Sequence, residues 1–225
     1  MRAFLKNFAV FVVLAVVFSN ISGCGGSDTA SNATIIQPTL VANGTASEAS
    51  QYPLLAATAA ESEIRSLDGS SFKIADKKGK VVLVNLWATW CIPCQAEMPA
   101  LVRMQDKHRE QGFEVIGLNA DDEAEEDIKP FVANKKLNYP IGWVDSKLQR
   151  SLINISRSSG IPQSFLVDRE GRLRGVFVGA NPNDVRKMEE LVAKVVGGEQ
   201  TEMVEPDEKA RKAVAPLSET EPANK

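Results

Sequence analysis

The chain has 225 residues, 44% of them hydrophobic, with 26 Lys+Arg against 29 Asp+Glu and a formal charge of −3. That composition supports one sizeable core and is short for two, and no basic patch interleaved with aromatics marks a nucleic-acid binder. Three cysteines (Cys24, Cys91, Cys94) exclude a disulfide-stapled scaffold, and a single histidine, His108, excludes metal sites built on several imidazoles.

In chain order, Arg2 and Lys6 come first, followed by the apolar run FAVFVVLAVVF (residues 8–18) and then SNISGCGG. A charged start, a short apolar stretch and small residues predict a secretory signal. As a helix the run rises only about 16 Å, against about 30 Å of hydrocarbon. ISGC, Ile21 to Cys24, resembles the bacterial lipoprotein box, in which the cysteine is lipidated and becomes the new N-terminus. Residues 1–23 are therefore expected to be a lipoprotein signal peptide. Cys24 is expected to anchor the chain to a membrane on the periplasmic side of the cell envelope. Gly25 after it favours the outer over the inner membrane. An uncleaved anchor or an ordinary secretory signal is the alternative. From 24 to 60, Ser, Thr, Ala, Gly and Asn dominate without a period, and a flexible tether is expected.

Elements follow from Glu61. Glu63 to Leu67 and Ser71 to Ile74 flank Asp68-Gly69, a hairpin signal. VVLVNLW, Val81 to Trp87, is a β-branched apolar run that predicts a central strand covered on both faces. A helix is predicted from near Cys91 to Gln111, stopping at Gly112. Phe113 to Asn119 predicts a second buried strand, and Ala124 to Lys136 a helix with Ile128, Phe131 and Val132 near helical spacing. The acidic run DDEAEED before it reads as a helix start with a solvated face, Asp121 or Asp122 capping. Tyr139 to Val144 predicts a short strand and Lys147 to Ile153 a short helix. Gln163 to Asp168 and Arg172 to Val178 predict strands joined by a turn over Asp168-Arg169-Glu170-Gly171. Asn181 caps the last helix, Pro182 fits its first position, and Gly197-Gly198 stop it. The folded domain is expected over 61–198. The charged, proline-containing tail over 199–225 is expected to be disordered, with a helical turn near Glu208 to Ala213. The order implies an α/β fold with a central mixed sheet flanked by helices.

The chemistry concentrates in WATWCIPCQAEMP, Trp87 to Pro99. A thiolate is the nucleophile, and the start of a helix favours negative charge. Cys91 is placed at that start, exposed. Cys94 lies one turn along, partly shielded. At this spacing Cys91 attacks or is attacked, and Cys94 resolves the mixed disulfide. Such exchange needs no histidine, because the leaving group is itself a thiolate. A zinc site needs more Cys or His ligands than the chain supplies. Copper(I) held by the two thiolates and a further ligand stays open as an alternative. A purely structural disulfide closes a loop too small to constrain much. His108 is read as a surface residue, Trp87 and Phe165 as core, and Trp143 as core or as a border of the site.

With VVLVNLW, then WATWCIPC, then SGIPQSFLVDREGRL, the chain resembles the thioredoxin superfamily. More narrowly it resembles the TlpA/ResA branch of exported, membrane-anchored thiol–disulfide oxidoreductases, over about residues 61–196. The resemblance implies a thioredoxin-like fold with an N-terminal β-hairpin and, over about 119–149, the branch's central insertion. It implies that Cys91 attacks and Cys94 resolves, and that Trp90 flanks the nucleophile. It also implies a cis-proline at Pro162, with the Ile161 backbone pairing an extended client strand, and a helix kink at Pro99. Where thioredoxin has a buried aspartate, this chain has Asn85. The branch's glutamate falls at Glu97, three residues after Cys94, where a partly buried carboxyl with a raised pKa can pass Cys94 a proton; the alternative is an acid that only decorates an early helical turn, where acids are favoured. The implied partners are disulfide-containing exported clients, apocytochrome c among them, and an integral membrane thiol carrier as electron donor. No resident cofactor and no metal are expected.

Overall fold

Every residue of the strand that starts at Val81 is buried, which is the outcome its β-branched, almost wholly apolar pattern demands. It lies at the centre of a computed structural model that describes residues 51–216. In chain order these are helix α1 (Ala57–Ala60), strands β1 (Ile64–Ser66), β2 (Ser71–Phe72) and β3 (Val81–Trp87), helix α2 (Ile92–His108), strand β4 (Phe113–Asn119), helix α3 (Glu125–Lys135), strand β5 (Ile141–Trp143), helix α4 (Ser146–Ser156), strands β6 (Gly160–Ile161), β7 (Gln163–Val167) and β8 (Leu173–Val178), helix α5 (Pro182–Val196), helix α6 (Glu208–Lys212) and strand β9 (Ala215–Pro216). Two 3₁₀ turns, Ile74–Lys77 and Arg109–Gln111, flank the β3–α2 unit; the first ends β2 sooner than the sequence suggests.

Seven strands form one mixed sheet in the order β2-β1-β5-β4-β3-β7-β8. β3 runs parallel to β4 and antiparallel to β7, with Val84 opposite both Ile116 and Phe165. Parallel β3–β4–β5 pairing requires crossover helices, and α2 and α3 supply them. Trp87, Leu83, Leu86 and Phe165 sit inside the core. Trp143 is also core; its indole N–H donates to the Glu123 carbonyl at 2.8 Å and Arg65 stacks over its ring.

Helix ends follow the local chemistry. Asn181 accepts from the N–H groups of Asn183 and Asp184, each at 3.1 Å, ahead of Pro182. Asp145 caps α4 through Leu148 N–H at 2.6 Å. Gly112, with φ +80°, closes the 3₁₀ turn after α2 in a left-handed conformation that favours glycine.

The domain edges differ from the expectation. The tether was expected to extend to residue 60, yet Tyr52, Leu55 and Ala59 are buried. Leu55 N–H donates to the Gly171 carbonyl and Leu173 N–H to the Pro53 carbonyl, each at 2.9 Å. The apolar residues of QYPLLAATAA pack where a small-residue composition pointed to a linker. The tail expected to be disordered from 199 is folded through 216. Val204 lies along β8, donating to Arg174 O at 3.1 Å and accepting from Val176 N–H at 2.8 Å. These two flanks cover β8, which is otherwise an edge strand with open backbone groups. The expected signal peptide, Cys24 and residues 24–50 lie outside the described residues, as do 217–225. Among the described residues no helix is long and apolar enough to cross a membrane.

Candidate active site

β3 delivers the chain to Ala88, and after Thr89 and Trp90 the backbone turns into α2 at Cys91. Cys91 is the N-cap: its backbone is extended, and its sulfur accepts the Cys94 N–H at 3.2 Å. Pro93 occupies the first turn, where its missing N–H leaves no partner wanting. Cys91 and Cys94 are joined in a disulfide, with Cα atoms 5.2 Å apart. Cys91 was expected to be exposed; instead it, like Cys94, has 0% of its surface accessible. Its neighbours Trp90 and Ile92 are 43% and 71% exposed, so the rim is open where the sulfurs are not.

The Ile161–Pro162 bond is cis. Pro162 and Pro93 line one cavity together with Gly179, Asn181 and Val214. The structure thus brings the start of α2 and the loop at 161–162 to a common space. Pro99 lies inside α2 as expected.

Glu97 is fully enclosed one turn beyond Cys94. Its Oε1 accepts from Asn85 Nδ2 at 2.7 Å, and the same amide donates to Ser164 Oγ at 3.0 Å. Burial pushes the Glu97 carboxyl up to about 8, against the opposing pull of the Asn85 hydrogen bond. Burial, and secondarily the Glu97 charge, hold the Tyr139 hydroxyl above its ordinary range. Asn85 therefore cannot titrate itself but grips the group that can.

Sequence reasoning missed two features and misplaced a third. The first is Glu123, read as part of a solvated acidic face. Its carboxylate accepts from Thr89 N–H at 2.9 Å, from the Thr89 hydroxyl and from Asn119 Nδ2. Gln95 Nε2 adds a bond to Thr89 O at 2.7 Å. The loop before Cys91 is thereby tied to the end of β4. Trp90 Nε1 donates to Asp121 Oδ2 at 2.5 Å. Neither Asp121 nor Asp122 caps α3; Ala124 is its N-cap and makes no side-chain bond. One acid in a run of acids gave no local signal of this role. The second is the C-terminal segment, whose β9 pairs with β6 beside Pro162. The misplaced residue is His108, which is buried rather than at the surface. Its Nδ1 lies 2.7 Å from Gln111 Oε1 and its ring meets Phe113 edge-on. The chain turns back into the sheet directly after α2 and encloses it.

A family model described as Redoxin matches residues 51–192. Over 116 residues the chain is 35% identical to the thiol-disulfide oxidoreductase ResA of a Bacillus cereus strain, covering 52% of this chain and 65% of that protein. Over 132 residues it is 33% identical to the ResA of Bacillus thuringiensis subsp. konkukian, covering 59% of this chain and 73% of the relative. Among solved structures it is similar to a thiol:disulfide interchange protein of the thioredoxin family from Chlorobium tepidum TLS. There the identity is 30% and the TM-score 0.54, over 60% of this chain and 93% of the other.

Proposed function

The chain belongs to the redoxin family as a ResA-like protein of thioredoxin-like fold, and from this premise we propose that it is a thiol–disulfide oxidoreductase that reduces disulfides of exported proteins. The observation that carries the reading is the bonded Cys91–Cys94 pair at the start of α2, with Pro93 between the two cysteines lining one cavity with the cis Pro162.

In the reduced protein the Cys91 thiolate attacks one sulfur of a client disulfide. The client S–S bond breaks, one client sulfur leaves as a thiolate, and Cys91 is joined to the other. The Cys94 thiolate then attacks the Cys91 sulfur and releases the second client thiolate. The client gains two electrons and two protons; the protein is left with its Cys91–Cys94 disulfide. Trp90 and the Ile161 backbone position the client strand, and Pro162 fixes the approach. A dithiol carrier in the membrane returns the electrons. During that return Cys94 leaves as a thiolate, and the protonated Glu97 one turn away hands it a proton.

Reduction of insulin in the presence of dithiothreitol tests the reading. Cys91→Ser is expected to lower the rate to that of dithiothreitol alone, and Cys94→Ala to accumulate a mixed disulfide with the client. Full turnover by Cys91→Ser overturns the proposal. Tight stoichiometric copper(I) binding without turnover by the unaltered protein replaces it with copper holding.

Cys24 is the proposed lipid anchor. It sets the domain on the periplasmic side of the envelope, with Gly25 favouring the outer membrane; apocytochrome c is among the proposed clients. Labelled palmitate is expected to enter the unaltered protein and not Cys24→Ala. Equal labelling of the two removes the anchor from the proposal.

A further inference from the structure

β6 is two residues long and leads directly into Pro162. Its strand partner comes from the far end of the chain: β9 pairs with it antiparallel, Gly160 opposite Pro216 and Ile161 opposite Ala215. The approach to β9 is ordered by a helix cap and held to the domain at two places. Asp207 caps α6 through Ala210 N–H at 2.6 Å. Arg211 Nε donates to Ser156 O at 3.0 Å, and Ser158 Oγ to Arg211 O at 3.3 Å. The Val214 side chain packs beside Gly179, where it would meet any Cβ at ordinary van der Waals distance. Ala210, Ala213 and Val214 then line the same cavity as Pro93 and Pro162. Pro93 lies between the two cysteines, so this space borders the exchange site, and Cys91 is inaccessible in this arrangement.

We infer that the segment 207–216 is a built-in occupant of the client-strand site, and that it must leave Gly160–Ile161 before a protein client can pair there. The inference rests on the exchange reading for what the site does, but not for who occupies it. A strand edge of two residues offers one set of N–H and C=O groups, so an added strand and β9 cannot use it together. Being part of the same chain, the occupant competes at a high effective concentration. It is also easily displaced. α6 has five residues, far below the length at which a helix stands alone, and β9 adds a two-residue pairing. Clients that enter are extended segments able to replace that pairing with their own backbone.

Such competition has a kinetic signature. The client-bound form is the same whether or not the segment occludes the free protein, so kcat is unaffected. KM is raised by the reciprocal of the open fraction. If the open form is populated at about 10%, permanent opening lowers KM about tenfold.

The test uses the full chain with two separate substitutions outside the exchange machinery, Arg211→Glu and Asp207→Ala. The first turns a donor to Ser156 O into an acceptor facing that carbonyl; the second removes the cap on Ala210 N–H that starts α6. Two readouts are taken: KM and kcat for insulin, and the iodoacetamide alkylation rate of Cys91 in the reduced protein. Both variants are expected to show KM about tenfold lower at unchanged kcat, with faster alkylation. KM and alkylation rates equal to those of the unaltered protein in both variants overturn the occupant while leaving exchange intact. Absence of insulin turnover in all three proteins overturns the exchange reading instead. Faster alkylation in the variants still upholds the occupant in that case.

Discussion

Replacing Glu97 by glutamine is expected to stabilise the oxidised protein by on the order of 5 kcal/mol above pH 8, and by almost nothing near pH 4. The reason is the site that encloses the carboxyl. The folded state raises its pKa from 4.5 to about 8 by burial, so folded protein keeps a proton that the unfolded chain releases. Stability from that proton is complete below the unfolded value and is lost as pH rises through the folded value. The window of decline is therefore pH 4.5 to about 8. A tenfold difference in proton affinity between the two states corresponds to about 1.4 kcal/mol. Glutamine keeps an oxygen to accept from Asn85 Nδ2 and carries no charge to desolvate, so its stability is level across the window. Urea unfolding midpoints of the two oxidised proteins from pH 4 to 9 measure this directly. Parallel curves would show that Glu97 ionises without strain and remove its place as proton donor. The same substitution is expected to remove the limb near pH 8 from the rate of re-reduction by a dithiol, because Cys94 then departs without its neighbouring acid.

How much of this was legible in sequence depended on how local each cause was. β3 was legible because a β-branched apolar run broken only by Asn85 admits few other fates, and α5 because Asn181 and Pro182 act on their own backbone. Cys91 and Cys94 were legible because spacing alone brings the sulfurs together, and Glu97 because the resemblance places a glutamate three residues after Cys94, on the same helix face. The depth of Glu97 was not legible, since it is set by Asn85, Ser164 and Tyr139, each brought from a different strand or loop. The inaccessibility of Cys91 was not legible either. Residues 207–216 read as a charged tail because half of them are ionic, yet a backbone pairing with Gly160–Ile161 depends little on side-chain polarity. Glu123 was hidden in the same way: the groups that donate to it, on Thr89 and Asn119, lie at the ends of two other segments.

One side chain ties both flanks of the domain to the sheet, and its role is testable at Arg174. This arginine is 4% exposed, with Nη1 3.4 Å from Asp168 Oδ2 and its guanidinium 4.0 Å from the centre of the Tyr52 ring. Its Nη2 donates to Glu199 O at 3.1 Å and to Thr201 Oγ1 at 3.3 Å. One side chain in β8 thus holds the segment before the domain, the turn at 168–171 and the segment after α5. Arg174→Met keeps most of the apolar stem and removes the charge, leaving the enclosed Asp168 carboxylate without its cation. Breaking one side of a buried pair typically costs about 3–5 kcal/mol, while removing both charges costs much less. Urea midpoints are therefore expected to fall steeply in Arg174→Met and to recover substantially in Asp168→Asn/Arg174→Met, a non-additive cycle. Part of the loss persists in the double variant, because Asp168 Oδ1 also receives Glu170 N–H at 3.1 Å and Arg172 N–H at 2.8 Å, and asparagine accepts these less strongly. Limited proteolysis is expected to cut Arg174→Met first between 199 and 204, where Glu199 and Thr201 have lost their donor. An additive cycle, or a loss in the single variant below about 1 kcal/mol, would mean that the flanks are held by Tyr52, Leu55 and Val204 packing alone and that Arg174 only fills space between them.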